Sequence, residues 1–402
     1  IDGSLRLTLD NFEFPAYLIN PRCELEWAND AAMDRFIGQN RSLPSEISDR
    51  NLFNLLLRDS PIADIVDMPG LIRYHMSIAK NRLTKPSLLS LSQSINPSHM
   101  DMLVRIFDEV EPAAVKPVLN SYVNLAKPGE GDRWHVVYTT AFREGYLFTY
   151  LPESQDNSSL LQLLGRRDIV IRDLLKKRGP YLTPLAVIVA DLKDSLDICA
   201  SLPPDEYFEL VNSIWSSMTP LLRKYYSTQG KHRADGMVYY CFPQPDSNYI
   251  LNAIRCATEM KSVMREISNK WRKKKNWMNE LELNIGIDEG HEWFGTYQTP
   301  SHLELTALGD TLTIASRLSD FARSGTIWIT KNGLGKLSLP DRETVHYGIR
   351  RSSTDGFEAL VPSTYSRISN LVDLNDPKNM SYQDIAVLPV TEILDVEIDS
   401  DD

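Results

Sequence analysis

Two aspartates frame the chemistry that this sequence can carry. Asp191 closes the apolar run PLAVIVADL, and Asp235 lies 44 residues further on, inside KHRADG. A carboxylate placed where a hydrophobic run stops sits at the sheet edge where ligands usually bind. Two carboxylates on neighbouring strands repel one another unless a cation lies between them, which is the arrangement a magnesium site for polyphosphate requires. Taken singly, each aspartate is an ordinary turn residue. The pair gains meaning only from the elements that hold it.

Those elements alternate from Thr183 onward. PLAVIVADL is a nearly continuous apolar strand, the kind that is buried on both faces. An amphipathic helix is expected over 205–226, with Ile214, Met218 and Leu222 on its apolar face and a kink at Pro220. A hairpin follows, with GMVYYCFP (236–243) as its second strand, then a helix over about 247–268 and a strand LELNIGI at 281–287. The order β-α-β-β-α-β is the split-βαβ, ferredoxin-like plan. The basic run Trp271 to Lys275 is read as a solvated loop, and the terminal EILDVEIDSDD as a disordered acidic tail.

Upstream, FPAYLINPRCELEWANDAAMDRFIG reads as strand, turn, strand and a short helix opened by Asn29 or Asp30. Residues 51–110 have helical periodicity, and 133–152 form a hairpin around Arg143-Glu144-Gly145. His75 and His135 are read as core or surface histidines rather than haem or metal ligands. In its strand order and in the phrase LINPRCELEWAND, this part resembles a PAS-like sensor domain with a helical insertion. Beyond the polar stretch 152–159, Leu160, Leu164, Ile171, Leu174 and Leu175 recur at helical steps until Gly179-Pro180. That linker helix either packs on one of its own domains or forms a short parallel coiled coil, with Arg167 at a would-be core position.

Length and composition bound the rest. A chain of 402 residues with 42% hydrophobic and 24% charged residues supports two or three folded domains. A net charge of −11 argues against nucleic acid as a partner. Cys23, Cys199, Cys241 and Cys256 have no metal-ligand spacing, which points to a reducing cytoplasm. No apolar stretch reaches the roughly 18 residues of a membrane span. The chain opens at Ile1 rather than Met, so a trimmed upstream segment is expected.

Four phrases, LAVIVADLKDSLDICASLPPDEYFELVNSI, QGKHRADGMVYYCFP, LELNIGIDEGHEWFGTY and LGDTLTIASRLSDFARSGTIWIT, resemble the class III nucleotidyl cyclase catalytic domain in order and interval. The resemblance implies that Asp191 and Asp235 hold two Mg²⁺ or Mn²⁺ ions per site, that Lys231 and Glu304 select the base, and that Arg317 stabilises charge on the transferring phosphate. Thr313 stands where the family has a ribose-orienting asparagine. Asp194-Ser195-Leu196 replaces a glycine-containing phosphate loop, and Arg350 or Arg351 are candidates for the phosphate-binding cation. The expected protein is an α+β, cytoplasmic, homodimeric adenylate cyclase. It would convert ATP to cyclic AMP and pyrophosphate at composite sites, answering a small-molecule ligand of the sensor. Its expected organisation is a sensor over 1–152, a linker helix over 153–180, a cyclase domain over 181–370 and an acidic tail over 371–402. Alternatives are a catalytically silent regulatory or nucleotide-binding module, or a cyclase using GTP or another nucleotide.

Overall fold

Asn29 fixes the opening of the chain. Its side-chain oxygen accepts from the backbone N–H of Ala32, capping the short helix Asp30–Ala32, and from that of Ala16, while its amide donates to the Phe14 carbonyl. One side chain thus binds the first strand to the helix start. The computed structural model describes residues 13–38, 42–57, 61–91, 95–114, 116–153, 164, 167–233, 236–275, 280–299, 302–352 and 358–398. The chain divides into two units, one of 1–182 with 295–303 and one of 183–294 with 304–402.

The first unit contains the strands β1 (Ala16–Ile19), β2 (Leu25–Ala28), β3 (Val118–Asn124), β4 (Trp134–Ala141) and β5 (Tyr146–Pro152), in the antiparallel order β2-β1-β5-β4-β3. The expected turn at Arg143-Glu144-Gly145 joins β4 to β5. Gly145 is required there: its φ is 151°, and a Cβ would meet the Ile19 carbonyl oxygen at 1.9 Å. Strand residues alternate between two cores. Tyr17, Ile19, Val137, Phe148 and Tyr150 pack against the inserted helices, among them α1 (Met68–Ala79). On α1, His75 is a buried core residue. Its Nδ1 lies 2.8 Å from the Leu71 carbonyl, so that nitrogen donates and Nε2 accepts from the Tyr17 hydroxyl at 2.6 Å. Burial pushes its imidazole down to about 4, with the Leu71 carbonyl opposing.

Ala16, Leu18, Leu147 and Leu151 face the other way, and Leu164, Val170 and Leu174 cover them. The apolar stripe of the helix α2 (Arg167–Lys177) therefore lies on the sheet of its own unit. Just beyond α2, Arg178 is buried and pairs with Glu26 of β2 at 2.6 Å, while the Tyr181 hydroxyl donates to the same carboxylate.

In the second unit, β6 (Tyr181–Leu192), α3 (Pro204–Lys224), β7 (Ser227–Arg233), β8 (Gly236–Cys241), α4 (Tyr249–Lys275) and β9 (Leu283–Thr299) follow the expected β-α-β-β-α-β order. The four strands lie in the sheet as β9-β6-β8-β7, and α3 and α4 share its core through Leu210, Ile214, Met218, Ile254, Met260 and Met264. The molecule is α+β, as expected.

Two local readings are corrected. The basic run is no loop: α4 continues to Lys275, because Trp271 is buried and Lys274 and Lys275 pair with Glu209 and Glu206 of α3. Nor is the C-terminal segment a tail. After β10 (His302–Leu308), α5 (Asp310–Phe321), β11 (Ile327–Thr330), β12 (Val345–Ser352), β13 (Glu358–Pro362) and β14 (Ser366–Arg367), the strand β15 (Pro389–Val396) inserts antiparallel between β11 and β12. Val390, Ile393 and Val396 are buried there, which is reason enough for the segment to order.

The Arg178–Glu26 pair generates a prediction. Glu26→Gln removes the charge that balances a buried guanidinium, and such losses cost about 3–5 kcal/mol. Urea unfolding followed by a probe in the N-terminal unit should show that destabilisation. A loss below about 1 kcal/mol, the worth of an exposed pair, would contradict the burial argument.

Candidate active site

Asp191 and Gly236 lie opposite one another across β6 and β8. The approach is close enough that a Cβ on Gly236 would stand 1.7 Å from Asp191 Oδ1, so glycine alone fits while the carboxylate keeps its place. The other carboxylate oxygen accepts from Ser319 Oγ at 2.9 Å. Ser319 is buried on the inner face of α5. Asp235 lies outside the described residues; the residue that follows it is the one in register with Asp191. A fixed carboxylate against a backbone with no side chain fits a hard, oxygen-liganded cation such as Mg²⁺. Among the described residues, no group of three or more His, Cys, Asp or Glu converges as a metal site, so such an ion would need Asp235 and oxygens from its substrate.

Thr313 and Arg317 stand four residues apart on α5 and therefore share a face. Thr313 is exposed and Arg317 half-buried. The Arg317 Nε donates to Asp384 Oδ2 at 3.0 Å, and its Nη1 is 3.8 Å from Asp320 Oδ2. Ser319, only two residues beyond Arg317, is turned to the opposite side of the helix, where Asp191 waits. Within one chain, α5 thus separates Arg317 from Asp191.

Lys231 lies in β7, and the half-buried Glu304 lies in β10. β7 pairs with β8 and β10 with β9, and among the described residues no strand pairing joins β7 to β10. In the segment Asp194-Ser195-Leu196, Asp194 has φ +54°, the left-handed conformation in which glycine is at ease, and stands at the N-terminal boundary of the seven-residue helix Ser195–Ser201 without a side-chain capping hydrogen bond. The candidate cation Arg350 is held by Glu392 of β15, with Nε 3.0 Å from Oε2; Arg351 is exposed.

The residues 181–352 match the sequence profile described as the adenylate and guanylate cyclase catalytic domain. This stretch is a class III nucleotidyl cyclase catalytic domain. The description covers both adenylate and guanylate cyclases, so it leaves the base open. The structure is similar to that of the adenylyl cyclase CyaB from P. aeruginosa, at 16% identity over 56% of this chain and 100% of that one, with a TM-score of 0.42. For the guanylyl cyclase Cya2 the values are 17% identity, 55% and 96% coverage, and a TM-score of 0.41. A bacterial light-regulated adenylyl cyclase gives 18%, 51% and 63%, and 0.39. No curated protein matches the sequence.

Sequence reasoning passed over one acidic group in the cyclase domain. Asp288 and Glu289, on β9, are both buried. Thr330 Oγ1 donates to Asp288 at 2.6 Å, while Glu289 accepts from the Tyr249 hydroxyl and pairs with Lys336. Burial pushes the Asp288 carboxyl up from its ordinary 3.8 to about 7, with the Thr330 hydrogen bond pulling the other way. The only sequence signal was an Asp-Glu pair at the end of an apolar strand.

A raised carboxyl favours the folded state most fully below the unfolded value, and that contribution is lost as pH rises towards about 7. Asp288→Asn keeps an acceptor for Thr330 and never ionises. Relative to the unsubstituted chain, the melting temperature of Asp288→Asn should climb by several degrees between pH 4 and pH 7 and then level off. Thermal unfolding across that range checks it; a difference independent of pH would refute it.

Proposed function

We propose that the chain is an adenylate cyclase that converts ATP to cyclic AMP and pyrophosphate as a homodimer with composite sites. The observation that carries this reading is the division made by α5: Ser319 binds Asp191 on one side, and Arg317 emerges on the other. A guanidinium so placed serves a triphosphate bound by a second copy of the chain.

In this reading Asp191 and Asp235 of one copy hold the ions that bind the triphosphate. Two bound divalent cations, Mg²⁺ or Mn²⁺, supply neutralisation of the phosphate charge and make the ribose 3′-hydroxyl a better nucleophile. The hydroxyl oxygen bonds to the α-phosphorus as the bond to the β-phosphate bridging oxygen breaks. Pyrophosphate leaves with that electron pair, and the hydroxyl proton passes to solvent. Arg317 of the other copy donates to the charge that builds on the transferring phosphate, and the Thr313 hydroxyl donates to or accepts from the ribose. Lys231 and Glu304 read the adenine edge: the ammonium donates to a ring nitrogen, and the carboxylate accepts from the exocyclic amine. Guanine would oppose its carbonyl to that carboxylate, leaving a charge unpaired.

The N-terminal unit is assigned as a PAS-like sensor in the cytoplasm, a reading supported by the β2-β1-β5-β4-β3 strand order. A cleft lined by Arg35, Ile62, Ile65, Lys127 and Arg133 would take its small-molecule ligand. A second reading, a nucleotide-binding module without turnover, is favoured by one observation: Asp194 puts a carboxylate where the family uses glycine to cradle phosphates.

Complementation separates these readings. Asp191→Ala and Arg317→Ala chains should each lose nearly all turnover. An equal mixture should recover about a quarter of the unsubstituted activity, because half the dimers are mixed and each of those keeps one intact site of two. Full inactivity of the mixture, with subunit exchange demonstrated, would refute composite sites.

A further inference from the structure

The segment 377–388 was read from sequence as part of a tail, yet it is built against α5. It runs as a 3₁₀ stretch, Pro377–Ile385, followed after a three-residue turn by β15. Tyr382 and Ile385 are buried with Leu318 and Phe321 of α5. The Tyr382 hydroxyl donates to the Asp320 carbonyl at 2.8 Å and accepts from Arg323 Nη2 at 2.8 Å, and its ring meets Phe321 edge to face. Asp384 lies between these two anchors, so its carboxylate is held at a fixed place beside the helix. Together α5 and the segment form a groove lined by Asp310, Thr313, Ile314, Asp384, Ile385 and Leu388. The candidate ribose contact Thr313 therefore looks onto a wall that the C-terminal segment provides.

We infer that Asp384 is a positioning residue for the cyclase reaction, orienting the guanidinium of Arg317 through its Nε so that the two Nη groups are presented to the transferring phosphate. The inference rests on the cyclase reading above. A guanidinium offers five N–H donors in a rigid plane. A carboxylate taken at Nε, 3.0 Å away, fixes rotation of that plane and occupies one donor. Asp320, at 3.8 Å, is too far to accept a hydrogen bond from Nη1. Nη1 is thus drawn towards Asp320 as an ion pair, yet both Nη groups keep their N–H donors for two phosphate oxygens, the geometry in which arginine binds phosphate best. The pair is partly exposed, with 36% of the Arg317 side chain and 48% of the Asp384 side chain accessible. Its value to folding is therefore small, and its consequence lies in where the guanidinium points.

The test compares Asp384→Ala with Asp384→Asn in the full chain, reading turnover of ATP with Mn²⁺ and the ¹⁵N resonance of the Arg317 Nε–H group, assigned by its absence in Arg317→Lys. Loss of orientation should lower kcat about three- to tenfold in Asp384→Ala while KM changes by less than about twofold. Asp384→Asn, whose amide oxygen still accepts from Nε–H, should keep more than about half of kcat. The Nε–H resonance should be protected from exchange in the unsubstituted chain and in Asp384→Asn, and lost in Asp384→Ala. Higher turnover in both variants would overturn the inference, since the carboxylate would then be withholding the arginine. Unchanged kcat in Asp384→Ala would overturn it too, reducing the contact to an ordinary surface pair. A chain that makes no cyclic nucleotide in any form would defeat the cyclase reading instead, and the exchange behaviour of Nε–H would then decide the orienting bond alone.

Discussion

The absence of a side chain at Gly236 is the constraint on which the site depends. β6 and β8 pair so tightly at Asp191 that the space a methyl group would need is filled by the carboxylate itself. The apolar runs of both strands are buried in one core, so neither strand can draw back to make room. Ser319 then takes the second oxygen of Asp191 and sets the rotation of α5. Once that rotation is set, the positions of Thr313 and Arg317 follow from helical geometry, since residues two apart on a helix point to opposite sides.

The same rotation explains why the C-terminal segment matters. The face of α5 turned away from Asp191 is covered in part by Tyr382 and Ile385, and these are held by β15, which is itself stitched between β11 and β12. The last strand of the chain thus supports the surface that carries Arg317. Asp194, like Tyr226, Ser324 and Ser363 in the same domain, is a counter-example, a side chain in a left-handed conformation that a glycine would hold at lower cost.

Much of this was legible in the sequence wherever the signal was local. The continuous apolar run before Asp191 and the turn at Gly145 each follow from a few neighbouring residues and stand where expected, and of the two expected helix openings, Asn29 and Asp30, the cap is Asn29. The features that were not legible depend on pairings far along the chain. β15 reads as acidic because of the aspartates around it, yet Val390, Ile393 and Val396 are enough for it to join the sheet once β11 and β12 leave a gap. Lys274 and Lys275 look like part of a loop until α3 brings Glu209 and Glu206 alongside the end of α4. Arg317 was found by resemblance, but Asp384, 67 residues away, had no sequence signal that tied it to that arginine. Asp235 falls outside the described residues, and the structure gives only the register of its neighbour Gly236 with Asp191.

The central claim is that this arrangement joins the α-phosphate of a nucleoside triphosphate to its own ribose 3′ oxygen, with release of pyrophosphate, and prefers adenine. The most direct measurement is to incubate the purified chain with ATP or GTP in the presence of Mn²⁺ and to weigh the products by mass spectrometry. The account predicts 3′,5′-cyclic AMP and pyrophosphate in equal amounts from ATP, with turnover of GTP far slower. Intact triphosphate after prolonged incubation, or ADP and phosphate in place of the cyclic product, would contradict it.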